Sequence, residues 1–285
     1  MSEFIYTGFS DEIDENIEKQ FEHLNKLGIK YFEPRGINGK NISELNDEEA
    51  ENLKSVMKKY NIKVSSIGSP IGKIKITDDF DEHIKVLERT IKTAKILDVK
   101  YIRIFSFYIP EGEDYKLYTD EVIKRMKAMT EIAANNNIIL LHENEKGIYG
   151  DIAVRCEEIL KVVNSPNLKA VFDPANFVQC GQVTYPEAFN LLKPYVVYMH
   201  IKDALSNGEV VPAGYGEGHV AEILSELYKN GYEGFLSLEP HLGSFKGLEN
   251  LEIDDHMLEL EGSTPEKFTL AYEALKKITD NIVKQ

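Results

Sequence analysis

The chain is predicted to fold as an α/β protein, a single (β/α)8 barrel, and three observations carry that prediction. Strand-like and helix-like segments alternate from end to end. Eight such pairs in 285 residues give roughly 36 residues per unit, the size of a βα repeat. Four apolar runs in the second half read as buried parallel strands, and each ends on a side chain able to ligate a metal.

Taken in order, residues 4–9 form the first strand. A helical pattern over 13–27 follows, with Ile17, Phe21 and Leu24 on one face and Gly28 as its stop. Residues 29–32 are the second strand and 47–60 the second helix. The third strand, 62–67, leads to a helix over 79–97, and the fourth, 101–105, to a helix over 120–134. Strand five runs into Glu143, strand six into Asp173, strand seven into His200 and strand eight into Glu239. Helices near 154–163, 185–192 and 220–227 separate these strands. The last helix opens on Thr264-Pro265-Glu266, an N-cap with proline in the first turn, and runs to about residue 282.

An open doubly wound sheet would place a glycine-rich phosphate loop after the first strand, and Gly8-Phe9-Ser10-Asp11-Glu12 is not one. No Pro/Gly/Ser-rich linker interrupts the series, so residues 1–285 are read as one domain. The stretch 243–262 is long for a connection and rich in acids. A lid over the barrel mouth and a solvated excursion are both compatible with it.

A net charge of −15 argues against nucleic-acid binding and against anionic membrane surfaces, which need clustered Lys and Arg. No apolar run approaches the roughly 20 residues of a spanning helix, and no secretory signal is visible at the N-terminus. Cys156 and Cys180 form no CxxC pair. Reduced thiols in a cytoplasmic protein are the simplest reading. A homo-oligomer is compatible with the sequence.

A parallel barrel puts all its strand ends on one face, so Glu143, Asp173, His200 and Glu239 should converge there and hold one divalent metal. Each residue alone has a bland explanation. Asp173 precedes Pro174 as a helix cap would, and His200 could be a satisfied core histidine. Four in succession favour the metal. Three carboxylates and one imidazole suit Mn2+, Mg2+, Co2+ or Zn2+, with no thiolate to force zinc; manganese is the first choice, which ligand type alone does not fix. Such a metal, chelated by a substrate carbonyl and its neighbouring hydroxyl, would acidify the C–H between them and stabilise an ene-diolate. Glu143 and Glu239 could then move the proton, giving epimerisation or isomerisation, with a hydride shift also open.

The segments His142-Glu143-Asn144, Phe172-Asp173-Pro174-Ala175-Asn176, His200-Ile201-Lys202-Asp203 and Leu238-Glu239-Pro240-His241 resemble the xylose isomerase-like TIM barrel superfamily. Within it they look like the sugar phosphate isomerase/epimerase group. The glycine-rich stretch Gly214-Tyr215-Gly216-Glu217-Gly218 fits as well. The resemblance implies that Glu143, Asp173, His200 and Glu239 bind the metal and that the two glutamates act as acid and base. It also implies a small carbohydrate or hydroxy-keto substrate, phosphorylated or not. In the ketose epimerase branch a histidine often stands three positions after the sixth-strand aspartate. Here that place is Asn176, which can hydrogen-bond a substrate hydroxyl but cannot carry its proton.

Further substrate contacts are expected from Arg35 after strand two, from Lys202 on the same side of its strand as His200, and from His241 two residues beyond Glu239. The alternative for Arg35 is an internal pair with Glu33, and for Arg103 a pair with an acid. Asp203 is expected to support the ligands from behind or to act as a cap, His142 to pack away from the ligands, and Asn144 and Glu145 to line the wall. His23, His83 and His256 are expected to be solvated.

Three rivals remain. A trinuclear zinc apurinic endonuclease of the same superfamily would need histidines at the ends of strands two to four, which this chain lacks. A metal-dependent lyase or dehydratase of a polyol or keto-cyclitol would use the same site but expel a β-hydroxyl. A non-catalytic sugar-binding barrel would be marked by lost ligands.

Overall fold

A computed structural model describes residues 4–242 and 262–284. Eight strands carry the barrel: β1 (Ile5–Gly8), β2 (Tyr31–Phe32), β3 (Lys63–Val64), β4 (Tyr101–Ile104), β5 (Ile139–Glu143), β6 (Leu168–Phe172), β7 (Val196–Ile201) and β8 (Phe235–Leu238). A continuous parallel sheet runs β1-β8-β7-β6-β5-β4. The rest of the ring closes through fewer bonds. The chain beyond β3 joins β4 where Ile67 N donates to Tyr101 O and Arg103 N to Ile67 O, both at 2.9 Å. β3 pairs with β2, and Glu33 N donates to Gly8 O at 2.8 Å, bringing β2 back to β1.

Helices α1 (Ile17–Lys26), α2 (Asp47–Tyr60), α3 (Phe80–Ile96), α4 (Thr119–Asn135) and α5 (Ala153–Val163) follow the first five strands. After β6 come α6 (Pro174–Gln179) and α7 (Phe189–Leu192), then α8 (Val220–Lys229) and α9 (Pro265–Val283). Local chemistry sets their starts. Asn46 and Glu49 form a reciprocal capping box on α2, and Thr264 caps α9 ahead of Pro265. α1 begins at Ile17 instead of residue 13, because the Asn16 side chain takes the free N–H groups of Glu18 and Lys19.

α6 was not among the helices expected, although Asp173-Pro174 carried the cap signature that starts it. Tyr185, expected to open the next helix, is extended instead (φ −134°, ψ 133°), because the residue before a proline is pushed out of the α region; the regular α-helix runs from Phe189. The acidic stretch read as a lid or excursion, with His256, lies outside the described residues except for Gly262. No helix among the described residues is long and apolar enough to cross a membrane.

One buried histidine overturns an expectation. His83, expected in solvent, is 8% exposed, and its Nε2 accepts the Gly72 N–H at 2.8 Å. Burial, aided by the Arg125 charge, pushes its pKa down to about 4. The unfolded chain takes up this proton near 6.5, so the stability contribution is complete above that pH and is lost as pH falls toward 4. Thermal melts should therefore show His83→Gln losing less stability than the parent between pH 7 and pH 5, by up to about 2 kcal/mol. Equal losses would refute it.

Candidate metal centre

Strand register decides which side chains enter the barrel. Ser237 pairs with His200 on neighbouring strands, and Phe172 pairs with Met199, which sets Asp173 beside His200. Side chains alternate along a strand, so Leu141 and Glu143, Val171 and Asp173, Tyr198 and His200, and Ser237 and Glu239 face inward in stacked layers. Leu141, Val171 and Tyr198 form an apolar cluster below. Glu143, Asp173, His200 and Glu239 stand above it, all buried, with one ligand atom of each within 4.8 Å of the others.

Two ligands about 2.1 Å from one ion lie at most about 4.2 Å apart, so small side-chain rotations would close these four around a divalent cation. An orphaned acceptor supports that fit: the buried Asp173 Oδ2 accepts no hydrogen bond. Lys202 Nζ stands 3.1 Å from it without the alignment of one.

Buried carboxylates must be neutralised, and four cations do this here. His200 Nδ1 lies 2.7 Å from Glu143 Oε1, and Arg103 donates to Glu143 Oε2 at 3.0 Å. Lys202 donates to Glu239 Oε2 at 2.9 Å. Arg35 reaches Glu239 Oε1 at 3.4 Å while forking onto Asp11 at 2.9 and 3.0 Å and meeting Glu12 at 3.2 Å. Arg35 therefore pairs with acids after β1, not with Glu33. Pro34 separates the two: Glu33 turns down toward His200, and Arg35 turns out toward Asp11. The Arg103–acid pair does form.

Burial works to raise the Glu143 pKa, but His200 and Arg103 outweigh it and hold the carboxyl at about 2. Glu239 is likewise held well below its usual range, burial being overcome by Lys202, His241, His200 and Arg35. Asp173 moves the other way. Burial and the neighbouring carboxylates raise it to about 7 against the pull of Lys202. His200 is pushed well up, because Glu143 and Glu33 outweigh its burial.

The remaining expected residues gather at the same mouth. Asn176 Nδ2 donates to Asn144 O at 2.9 Å and reaches Glu143 Oε1 at 3.5 Å. Asn144 in turn clamps the Asp173 backbone, accepting its N–H at 3.0 Å and donating to its carbonyl at 2.9 Å. Asp173 Oδ1 caps α6 at Asn176 N. His241 Nε2 lies 3.3 Å from Glu239 and 3.5 Å from Glu12, and the His241 backbone N–H donates to Glu12 Oε2 at 2.8 Å. Glu145 instead pairs with Lys73. His142 is buried away from the ligands, and burial pushes it down to about 4.

Glu12 escaped the sequence reading, although Asp11-Glu12 directly after the first strand was a visible signal. Burial pushes its carboxyl up to about 8, despite Arg35.

Asp203, expected to support the ligands from behind or to act as a cap, organises the glycine-rich loop. Its Oδ2 accepts from Gly214 N and Gly216 N at 3.0 and 3.1 Å, and its Oδ1 from Gly218 N at 2.7 Å. A Cβ on Gly216 would sit 2.4 Å from Asp203 Oδ1 and 2.5 Å from Ala204 O, and one on Gly218 would sit 2.6 Å from Asp203 Oδ1. Gly216→Ala should therefore destabilise by about 1–3 kcal/mol in chemical denaturation. An unchanged midpoint would show that the loop can shift freely.

Residues 21–259 match the profile of a family described as Xylose isomerase-like TIM barrel. A 3-dehydroshikimate dehydratase of Bacillus anthracis is 23% identical over 187 residues, 66% of this chain. The match spans 65% of that relative's length. A D-tagatose 3-epimerase-like protein superposes with a TM-score of 0.75 at 18% identity, covering 99% of both chains. The IOLI protein, solved with a bound zinc atom, superposes with a TM-score of 0.72 at 19% identity, covering 98% of both.

Proposed function

Because the chain belongs to the xylose isomerase-like TIM barrel family, we propose that it is a metal-dependent isomerase or epimerase of a small carbohydrate or hydroxy-keto compound. The observation that carries this reading is the buried quartet Glu143, Asp173, His200 and Glu239, with ligand atoms within 4.8 Å of one another. These four would hold one divalent cation, manganese by preference, which supplies Lewis-acid polarisation of a carbonyl and its neighbouring hydroxyl.

The chain's own residues would do the proton work. Glu143 and Glu239 are both held in the ionised form, so either can accept the acidified C–H proton and become the acid that returns it. Arg103 and Asn176 fix Glu143, and Arg35, Lys202 and His241 fix Glu239. Lys202, Arg35, His241 and Asn176 also present donors to substrate oxygens. Returned by the same carboxyl to the adjacent carbon, that proton moves the carbonyl; inversion instead takes a proton from solvent water through the partner carboxylate on the opposite face, while the first glutamate releases its own to solvent.

A second reading is a dehydratase, favoured by the similarity to the Bacillus anthracis protein. There the same carbanion would expel a β-hydroxyl in place of being reprotonated. One experiment separates the two. Metal-loaded protein is incubated in D2O with ketoses, hydroxypyruvate, sugar phosphates and dehydroshikimate. Deuterium beside a carbonyl in recovered sugar supports the isomerase or epimerase. A conjugated product with new ultraviolet absorbance supports the dehydratase, and neither change on any compound counts against both.

A further inference from the structure

Beneath the candidate ligands, alongside the Leu141–Val171–Tyr198 cluster, the barrel also carries a set of linked polar side chains. Thr7, Glu33, Ser65, Tyr198 and Ser237 come from or follow five different strands, and all are buried. Thr7 Oγ1 meets Ser65 Oγ at 2.7 Å, and Ser65 Oγ meets the Tyr198 hydroxyl at 2.9 Å. Tyr198 and Ser237 both donate to Glu33 Oε2, at 2.7 and 2.6 Å. Among the described residues, Glu33 has no lysine or arginine within ion-pair distance. Its charged partner is His200, whose Nε2 lies 3.3 and 3.4 Å from the two carboxylate oxygens.

Burying a carboxylate with two hydroxyl donors and one imidazole is costly unless that imidazole is the point of the arrangement. We propose that Glu33 is a positioning residue, accepting the Nε2–H of His200 and so fixing the ring with its Nδ1 toward Glu143, Asp173 and Glu239. The proposal rests on the reading of His200 as a metal ligand.

The ring's geometry supports it. Nδ1 lies 2.7 Å from Glu143 Oε1 and 3.6 Å from Glu239 Oε2, on the ligand side. Nε2 faces down toward the linked polar side chains. Phe9 packs edge-on at 5.1 Å between ring centroids, so the imidazole is held in plane as well as in tautomer. Tyr198 and Ser237 act one step further out, by fixing the carboxylate that fixes the ring.

The test uses Zn2+, which is diamagnetic, in competition with a chromophoric chelator, alongside long-range 15N spectra of His200 in the zinc-loaded protein. Glu33→Gln should bind Zn2+ about 10–100-fold more weakly and shift the His200 Nε2 resonance. Tyr198→Phe should move both readouts the same way by less, and His200→Gln should lose more affinity than either.

If Glu33→Gln binds within about twofold of the parent and the tautomer is unchanged, while His200→Gln loses Zn2+, the positioning role is wrong and the ligand reading stands. If His200→Gln also binds normally, the ligand reading falls and the positioning role falls with it. Should Glu33→Gln fail to fold, Tyr198→Phe and Ser237→Ala decide: unchanged affinity and spectra in both overturn the proposal.

Discussion

Glu143→Gln is expected to lower kcat/KM of the metal-loaded protein by at least about 10³-fold, the upper part of what a positioned base contributes. Glutamine matches the shape but offers one acceptor where the carboxylate offers two. Glu143 now meets His200 through one oxygen and Arg103 through the other. The amide must therefore turn an N–H against one of these donors. Arg103 is the more vulnerable partner. It is 2% exposed, and its Nε and Nη2 already lack hydrogen-bond partners. It stacks on Phe105 at 4.7 Å, which does not replace a counter-charge.

A buried charge stripped of its partner costs about 3–5 kcal/mol, so the variant should also melt lower. A double variant separates the two losses. Glu143→Gln with Arg103→Met removes both charges, and such replacements of buried pairs are often neutral or stabilising. Stability should return in the double variant and turnover should not. If activity returned with stability, Glu143 would be a structural partner of Arg103 and the two-base scheme would be wrong.

The parts legible in the sequence are those that depend on chain order alone. An apolar run buried on both faces must end where the barrel ends, so the charged or ligating residue that closes it marks the mouth. Glu143, Asp173, His200 and Glu239 were found that way. What stayed hidden depends on the stagger between strands, which no single strand encodes. For Arg35, expected to contact substrate, the sequence offered only a local pair with Glu33, two residues away, as the alternative. The fold gives Glu33 to His200 on β7 and Arg35 to Asp11 and Glu12 after β1.

Tyr198 and Ser237 looked like ordinary members of apolar strands, because the period of two names a face and not the partner across the lumen. His83 was misread for a related reason. Helix position alone does not reveal that the Gly72 N–H would come to its ring.

Asp173→Asn is expected to abolish the response to metal and, without metal, to make the protein more stable above neutral pH. The two halves come from different oxygens of one side chain. Oδ1 caps α6 by accepting the Asn176 N–H at 2.9 Å, a task asparagine performs as well as aspartate. Oδ2 is buried, accepts no hydrogen bond and faces the other candidate ligands.

The folded carboxyl is raised to about 7 from an ordinary 3.8, burial being the largest cause. Folded protein thus binds more protons than unfolded protein between those values, so this group's contribution falls as pH rises through that window. Asparagine carries no such penalty. Metal-free Asp173→Asn should melt above the parent at pH 8, by roughly 1–3 kcal/mol, and the gap should narrow as pH drops toward 4.

Mn2+ should raise the parent's melting temperature and leave the variant's unchanged, with turnover lost in the variant. Asp173→Ala removes the cap too, so it should melt below Asp173→Asn by about 1 kcal/mol while sharing its indifference to metal. An Asp173→Asn protein that is less stable at pH 8 yet still stabilised by Mn2+ would show that the carboxylate serves the fold and that the metal is held elsewhere.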